Sequence, residues 1–279
     1  MKLREAVLAT LTYSDHFSFP LTPEELHLRL IARPISRISL IRQIRPMVLS
    51  GLISRTGRYY HLPGREKLTA RRDSLAASAV PQLMRARTLA ARLGHVPGVH
   101  AVYLTGSLAV KNAPAGSDID FMVITVPHRL WTTRLLLTAY CSLFGLRRTP
   151  HSQNNSGKLC LNLFLSPLSY LLSPNQRSLY TAYELVQALP LYDPHHTHPK
   201  LLAVNSWIHD YLPNFPMNTR VKPSSSKLEH WKTGTLENFL YHLQLRYMRP
   251  RITREIITPH SAFFHPHDPG AKVLKKLAL

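Results

Sequence analysis

Two carboxylates one residue apart, Asp118 and Asp120, carry the clearest chemical signal in the chain. They open an apolar, strand-like run over residues 118–124. Side chains on a strand alternate between faces, so the two acids share one side while Ile119, Phe121 and Val123 point into a core. Like charges that close together repel, and a cation between them removes the repulsion. Carboxylate oxygens are hard ligands suited to Mg²⁺ or Mn²⁺, which keep some water and also accept phosphate oxygens. Lys and Arg continue through residues 74–183, yet no other Asp or Glu occurs there, which sets the pair apart. A blander reading has Asp118 capping a loop and Asp120 solvated at a strand end.

A second group stands just upstream. An apolar run over residues 99–104 ends in Thr105-Gly106-Ser107. Gly106 lets the backbone approach a ligand closely, Ser107 adds a hydroxyl, and the N–H groups that open the next helix favour an anion. Lys111 and Ser117, in the segment leading to Asp118, are further candidates for holding a nucleotide. Carboxylates for a metal thus lie beside donors for phosphate.

Gly106-Ser107, ten intervening residues and then Asp118-x-Asp120 on a strand resembles the signature of the polymerase-β-like nucleotidyltransferase superfamily, most strongly over residues 99–125 and more weakly to 193. The resemblance implies that Gly106 and Ser107 hold a triphosphate, that Asp118 and Asp120 hold Mg²⁺ or Mn²⁺, and that a hydroxyl of an acceptor attacks an NTP, receiving the NMP group and releasing pyrophosphate. Active members usually carry a third carboxylate on a neighbouring strand. Here the matching position, in the strand expected over residues 158–165, is Asn162, which can lend a neutral oxygen to a metal but cannot act as a general base. Glu184 and Asp193 are the carboxylates that could replace it from outside the sheet. Lys111, Arg129, Arg134 and Lys158 are candidates to face the triphosphate.

The elements that would position these groups follow from periodicity and punctuation. The expected fold class is α/β (α+β), a small mixed sheet flanked by helices of nucleotidyltransferase type, with a winged-helix-like N-terminal domain and a helical C-terminal part. Residues 1–64 read as a winged helix-turn-helix-like module, 65–93 as a connecting helix interrupted near Pro81, 94–200 as the catalytic domain and 201–279 as a helical region with a basic tail. In the first module, Leu3, Val7, Leu8 and Leu11 form one helical face. Thr22-Pro23-Glu24-Glu25 has the form of a capping box that starts a helix through residue 31. A third helix spans 38–50, where Pro46 should kink or shorten it, and strands at 52–55 and 59–62 flank a Thr56-Gly57 turn. Further on, helices are expected over 130–144, 175–189, 201–212 and 227–248, with a polar loop at 149–157 and a Pro/Ser-rich linker at 214–227. The His-rich tract at 193–199, and His265, His267 and Asp268 in the tail, read as surface turns rather than metal sites.

Charge bounds the partners. The chain has 35 Lys+Arg against 15 Asp+Glu, a formal charge of +20, which suits a polyanion or an anionic surface. Residues 1–92 hold 16 Lys+Arg and 6 Asp+Glu, about half the excess. Arg33, Arg37, Arg42, Arg45, Arg55 and Arg58 lie on or near the third helix and hairpin, where a winged helix would meet nucleic acid. Two cysteines, Cys141 and Cys160, make no disulfide framework and fit a reducing compartment. With no apolar leader at the N-terminus and no apolar run of roughly 18 residues, an integral membrane segment is not expected and the expected location is cytoplasmic. The expected partners are an NTP, which the resemblance implies, and nucleic acid, which the basic N-terminal module could contact. The rival to a working transferase is a catalytically degenerate fold that binds nucleic acid or regulates. Peripheral attachment to lipid through the basic surface and residues 130–146 is a third reading.

Overall fold

The computed structural model describes residues 1–148, 157–217, 234–253 and 255–264. It is mixed α/β, built on a six-stranded mixed sheet. The chain begins with three helices, α1 (Leu3–His16), α2 (Pro23–Leu28) and α3 (Arg37–Leu49), and a small antiparallel hairpin of β1 (Ser54–Thr56) and β2 (Tyr59–His61). The long helix α4 (Lys67–Gly94) leads to β3 (Val99–Thr105), the single turn α5 (Gly106–Ala109), β4 (Ile119–Thr125), α6 (Leu130–Leu143) and β5 (Leu159–Leu165). Then come α7 (Leu179–Gln187), β6 (Leu189–Tyr192), α8 (Thr197–Val204), α9 (Ile208–Tyr211), α10 (Thr235–Met248), β7 (Ile256–Ile257) and β8 (Ser261–Phe263).

The sheet order is β6-β3-β4-β5-β8-β7. β4 and β5 run parallel, which demands a crossover, and α6 supplies it; the other neighbours are antiparallel. The central strands are buried on both faces, which is why they read as continuous apolar runs. Ala101, Tyr103, Met122 and Ile124 pack toward α7, α8 and α9, while Val102, Leu104, Phe121 and Val123 pack toward α4, α6 and α10.

Several expectations need correction. Pro81 does not interrupt its helix, since α4 runs through it, just as α3 contains Pro46. A proline removes one backbone hydrogen bond, and in α4 the burial of Ala79, Ala86, Leu89, Ala90 and Leu93 against the sheet outweighs that loss. The helix expected over 175–189 is shorter, and the chain after it forms β6, pairing with β3 at the sheet edge, where Pro190 is tolerated. The helix expected over 201–212 is two, broken at Asn205. This residue is fully buried, its amide donates to the carbonyls of Tyr170 (2.6 Å) and Leu201 (2.8 Å), and its Oδ1 accepts from the Leu172 N–H and Trp207 Nε1. β7 and β8, from the C-terminal stretch in which no strand is expected, extend the sheet. The loop at 149–156, residues 218–233 of the linker and following helix, and the tail with His265, His267, Asp268, Lys272, Lys275 and Lys276 lie outside the described residues.

The N-terminal unit is docked on the sheet domain. Tyr13 and Ile31 enter the core that covers one sheet face. The Ala32 N–H donates to the Tyr211 carbonyl (2.8 Å), Asn112 Nδ2 to the Phe17 carbonyl (2.9 Å) and the Tyr183 hydroxyl to the Arg29 carbonyl (2.8 Å). Buried Arg72 of α4 binds Glu25 at 2.5 Å and lies over the Phe19 ring at 3.9 Å, fastening the long helix to the same unit.

On the other sheet face, α6 begins without a capping side chain of its own. Its orphan N–H groups are met from α10: Glu237, 4% exposed, accepts from the Trp131 and Thr132 N–H groups at 2.5 and 3.1 Å and from the Thr132 hydroxyl at 2.5 Å. Glu237→Ala would leave these donors buried and unpaired and is expected to lower unfolding free energy by about 3 kcal/mol, read as a shift of the urea midpoint at unchanged slope.

Candidate active site

The site forms where β3 hands over to α5 beside the start of β4. Thr105, the last residue of β3, is paired with Asp120, and its hydroxyl donates to the Asp120 carbonyl at 3.4 Å. Gly106 follows with φ +67°, a conformation that side chains rarely adopt. A Cβ on Gly106 would lie 2.6 Å from Asp120 Oδ2. Glycine is thus required twice, by its backbone and by the carboxylate packed against it. Asp118 stands just before β4, not within it.

β5 completes the pair's surroundings. In the β4–β5 register Phe121 opposes Leu161 and Met122 opposes Leu163, so Asn162 is the extra residue of a bulge. Asn162 Nδ2 donates to Asp120 Oδ1 at 2.6 Å, and the Cys160 thiol donates to Asn162 Oδ1 at 2.6 Å. The sequence suggested that Asn162 lends its oxygen to a metal. That oxygen accepts from the Cys160 thiol, and the amide donor faces Asp120 and orients its carboxylate.

Burial pushes the Asp120 carboxyl up to about 6; the Asn162 hydrogen bond opposes the shift and the Asp118 charge adds to it. Asp118 is also raised by burial, against the pull of Arg148, whose Nη1 sits 2.7 Å from Asp118 Oδ2. Burial pushes the Cys160 thiol up to about 12, so it is a donor and not a thiolate.

A cavity of about 360 Å³ opens beside Gly106 and Ser107. Its other walls come from the N-terminal unit (Tyr13, Phe17, Phe19, Arg29), from Arg71 of α4 and from α7 (Tyr180, Tyr183, Glu184, Gln187). Glu184 is thereby brought to the site. Its carboxyl is raised to about 7, mainly by burial and then by the Asp120 charge, with a Tyr180 hydrogen bond opposing. Asp193 is not at the site: it accepts from the Thr197 and His198 N–H groups and caps α8.

The cations are also redistributed. Lys111 is exposed and lines a neighbouring cavity with Arg58 and Arg72. Ser117 is part of the turn before Asp118, its N–H bonded to the Pro114 carbonyl. Arg129 is exposed at the start of α6, Arg134 binds Gln244 of α10 at 2.6 Å, and Lys158 binds the Gly145 carbonyl at 2.5 Å. Arg29 and Arg71 line the cavity instead. Arg29 comes from the N-terminal unit, too far along the chain for spacing to reveal it; the signal available was the hydrophobic face of α1, which had to be buried against something.

Two hard carboxylates, one of them reluctant to ionise because of burial and its neighbour, fit a divalent cation that brings its own water and phosphate ligands. No cluster of three or more His, Cys, Asp or Glu placed to hold a metal occurs among the described residues, so a metal here would rest on Asp118 and Asp120. In the His-rich tract, His195 stacks on His100 with ring centres 4.4 Å apart, and His198 Nε2 lies 3.3 Å from the Leu185 carbonyl. Comparison of the chain with protein-family models, with curated proteins and with solved structures gave no match.

The Asp120 shift has a signed consequence. The fold keeps this carboxyl protonated to about pH 6, so its stabilising contribution is full below the ordinary carboxyl range and is lost as pH rises through 6. Asp120→Asn cannot ionise and keeps an acceptor for Asn162. It is expected to exceed the wild type in stability by about 3 kcal/mol at a pH of about 8 and to match it at about 3.5, measured by urea denaturation at both values.

Proposed function

We propose that the chain is a metal-dependent nucleotidyltransferase, moving the NMP group of an NTP to a hydroxyl of its acceptor. The observation that carries this reading is the contact of Asp120 with Gly106. It sets Asp120, at the start of β4 and one residue from Asp118, directly against the Gly106-Ser107 turn that lines a cavity. The resemblance to the polymerase-β-like superfamily supplies the reaction type, and within it the three-helix and hairpin unit is read as winged-helix-like.

Asp118 and Asp120 would hold Mg²⁺ or Mn²⁺, which when bound neutralises phosphate charge and polarises the phosphorus for attack. The protein's own share is positioning and electrostatics. Gly106 and Ser107 form the turn against which phosphates would rest, Asn162 fixes the rotamer of Asp120, and Arg29 and Arg71 add positive charge to the cavity. Glu184, with a carboxyl near 7, can accept a proton from an acceptor hydroxyl around neutral pH.

A second reading is favoured by the exposed arginines of the N-terminal unit. Arg37, Arg42 and Arg45 on α3, with Arg33, Arg55 and Arg58 nearby, are all exposed, although Arg58 is paired with Asp73. The sequence reading of a nucleic-acid-facing helix keeps this support. No helix among the described residues is long and apolar enough to cross a membrane.

Isothermal titration of each NTP with Mg²⁺ into wild type and the Asp118→Ala/Asp120→Ala double variant tests the first reading, with pyrophosphate release over a panel of hydroxyl acceptors as the second readout. Metal-dependent binding in the wild type, weakened at least tenfold in the double variant, is the expected result. Absence of nucleotide binding with either metal, together with salt-sensitive nucleic-acid binding that survives the double substitution, would leave only the second reading.

A further inference from the structure

The cavity beside Gly106 has a composition that phosphate binding alone does not call for. On one side stand Tyr13, Phe17 and Phe19 of the N-terminal unit, and on the other Tyr180 and Tyr183 of α7. The walls are joined where Tyr13 and Tyr183 stack, ring centres 4.7 Å apart and planes 21° from parallel. They are pinned by the Tyr183 bond to the Arg29 carbonyl and by the Asn112 bond to the Phe17 carbonyl, so the space between them is preformed.

Asn112 gives an independent pointer. It lines the cavity and is only 7% exposed. Its Nδ2 is committed to Phe17, which orients the amide, and its buried Oδ1 finds no partner among the described residues. A polar wall left incomplete in an otherwise aromatic cleft is unusual, since buried polar atoms are nearly always paired. Gln187 and Glu184 add further polar groups at the same cavity. Arg29 completes the set: burial lowers its pKa, so an anion brought near would be welcome, and its guanidinium lies over the Phe19 ring at 4.8 Å.

Aromatic faces, hydrogen-bonding side chains and flanking arginines together describe a seat for a planar nitrogen heterocycle carrying an anionic tail. We propose that the cleft between the N-terminal unit and α7 seats the base of a nucleotide whose phosphates lie at Gly106 and Ser107. The inference rests on the nucleotidyl-transfer reading for the direction of the phosphates, but the seat itself needs no metal and no transfer. The N-terminal unit then has two faces with separate tasks: Tyr13, Phe17, Phe19 and Arg29 face the ligand, while the arginines of α3 face solvent.

The test compares ligands that share parts of a nucleotide, using the full-length protein and isothermal titration: NTPs with Mg²⁺, inorganic tripolyphosphate with Mg²⁺, and nucleosides without metal. Stacking of a base on aromatic side chains is worth roughly 1–3 kcal/mol, so at least one NTP should bind about tenfold or more tightly than tripolyphosphate. Tyr180→Ala should remove most of that advantage while leaving tripolyphosphate affinity unchanged, and Gln187→Trp, which fills the cleft, should abolish nucleoside binding. Circular dichroism melts establish that both variants fold; if Tyr180→Ala does not, Gln187→Trp alone decides. Equal affinity for NTPs and tripolyphosphate overturns the base seat and leaves the transfer reading standing. Nucleoside binding without metal-dependent triphosphate binding supports the seat and removes the transfer reading. If neither nucleosides nor nucleotides bind, the seat is overturned.

Discussion

The site depends on one close approach: the carboxylate of Asp120 lies against Gly106, where a Cβ would come within 2.6 Å of Oδ2. Strand β3 must end beside the first residues of β4 for this contact to exist, and the chain must turn there through a positive φ. Everything else at the site is arranged about that contact. The bulge in β5 turns Asn162 onto the Asp120 face, Cys160 holds the far end of Asn162, and Arg148 reaches Asp118 from beyond α6. Burying a carboxylate this way opposes folding above its raised pKa. A protein that keeps such an arrangement has stability tied up in a place where a hydrophobic residue would pack more comfortably, the usual mark of a functional site.

The docking of the N-terminal unit changes what its charge means. Read along the chain, its basic residues form one group suited to a polyanion. In three dimensions they separate. Arg29 turns inward to the cavity, Arg58 pairs with Asp73 at 2.7 Å, and Arg37, Arg42 and Arg45 point to solvent. Electrostatic contact with a large partner needs only the last group, whereas ligand recognition needs the first. The two proposed functions are compatible because the unit is fixed by the Arg72–Glu25 pair, by the Ala32 N–H bond to the Tyr211 carbonyl and by the Tyr183 hydroxyl bond to the Arg29 carbonyl, which leave the α3 arginines exposed.

What the sequence made legible was local. The carboxylate pair, the Gly106-Ser107 turn, the Thr22–Glu25 capping box and the three central strands depend on short-range periodicity and on the conformational limits of glycine and proline. What it left hidden was set by distance along the chain. β7 has two residues and β8 three, too few for any alternation to show, and they become strands only because β5 offers an open edge. Pro81 suggested a break because the loss of one hydrogen bond is local, whereas the burial of α4 that outweighs it comes from the distant sheet. Glu184 and Glu237 look alike as isolated acids on helices. Only tertiary placement makes the first a cavity carboxyl and the second a cap for α6.

The asparagine at the third-strand position carries opposite implications for activity depending on what surrounds it. If Asn162 offered its oxygen to a metal, the site would be a weakened version of a three-carboxylate centre. Its amide N–H donates to Asp120, a contact that holds the carboxylate in place and favours its ionised form. On the nucleotidyl-transfer proposal, the proton-accepting role would pass to a group not itself tied to a cation at Asp118 and Asp120. Glu184 meets that condition: it lies at the cavity, its carboxyl is near 7, and Asp120 is close enough to raise it. A cation at the aspartates would lower the Glu184 pKa by the same Coulomb interaction acting in reverse. The base would then be most readily ionised when the rest of the site is assembled.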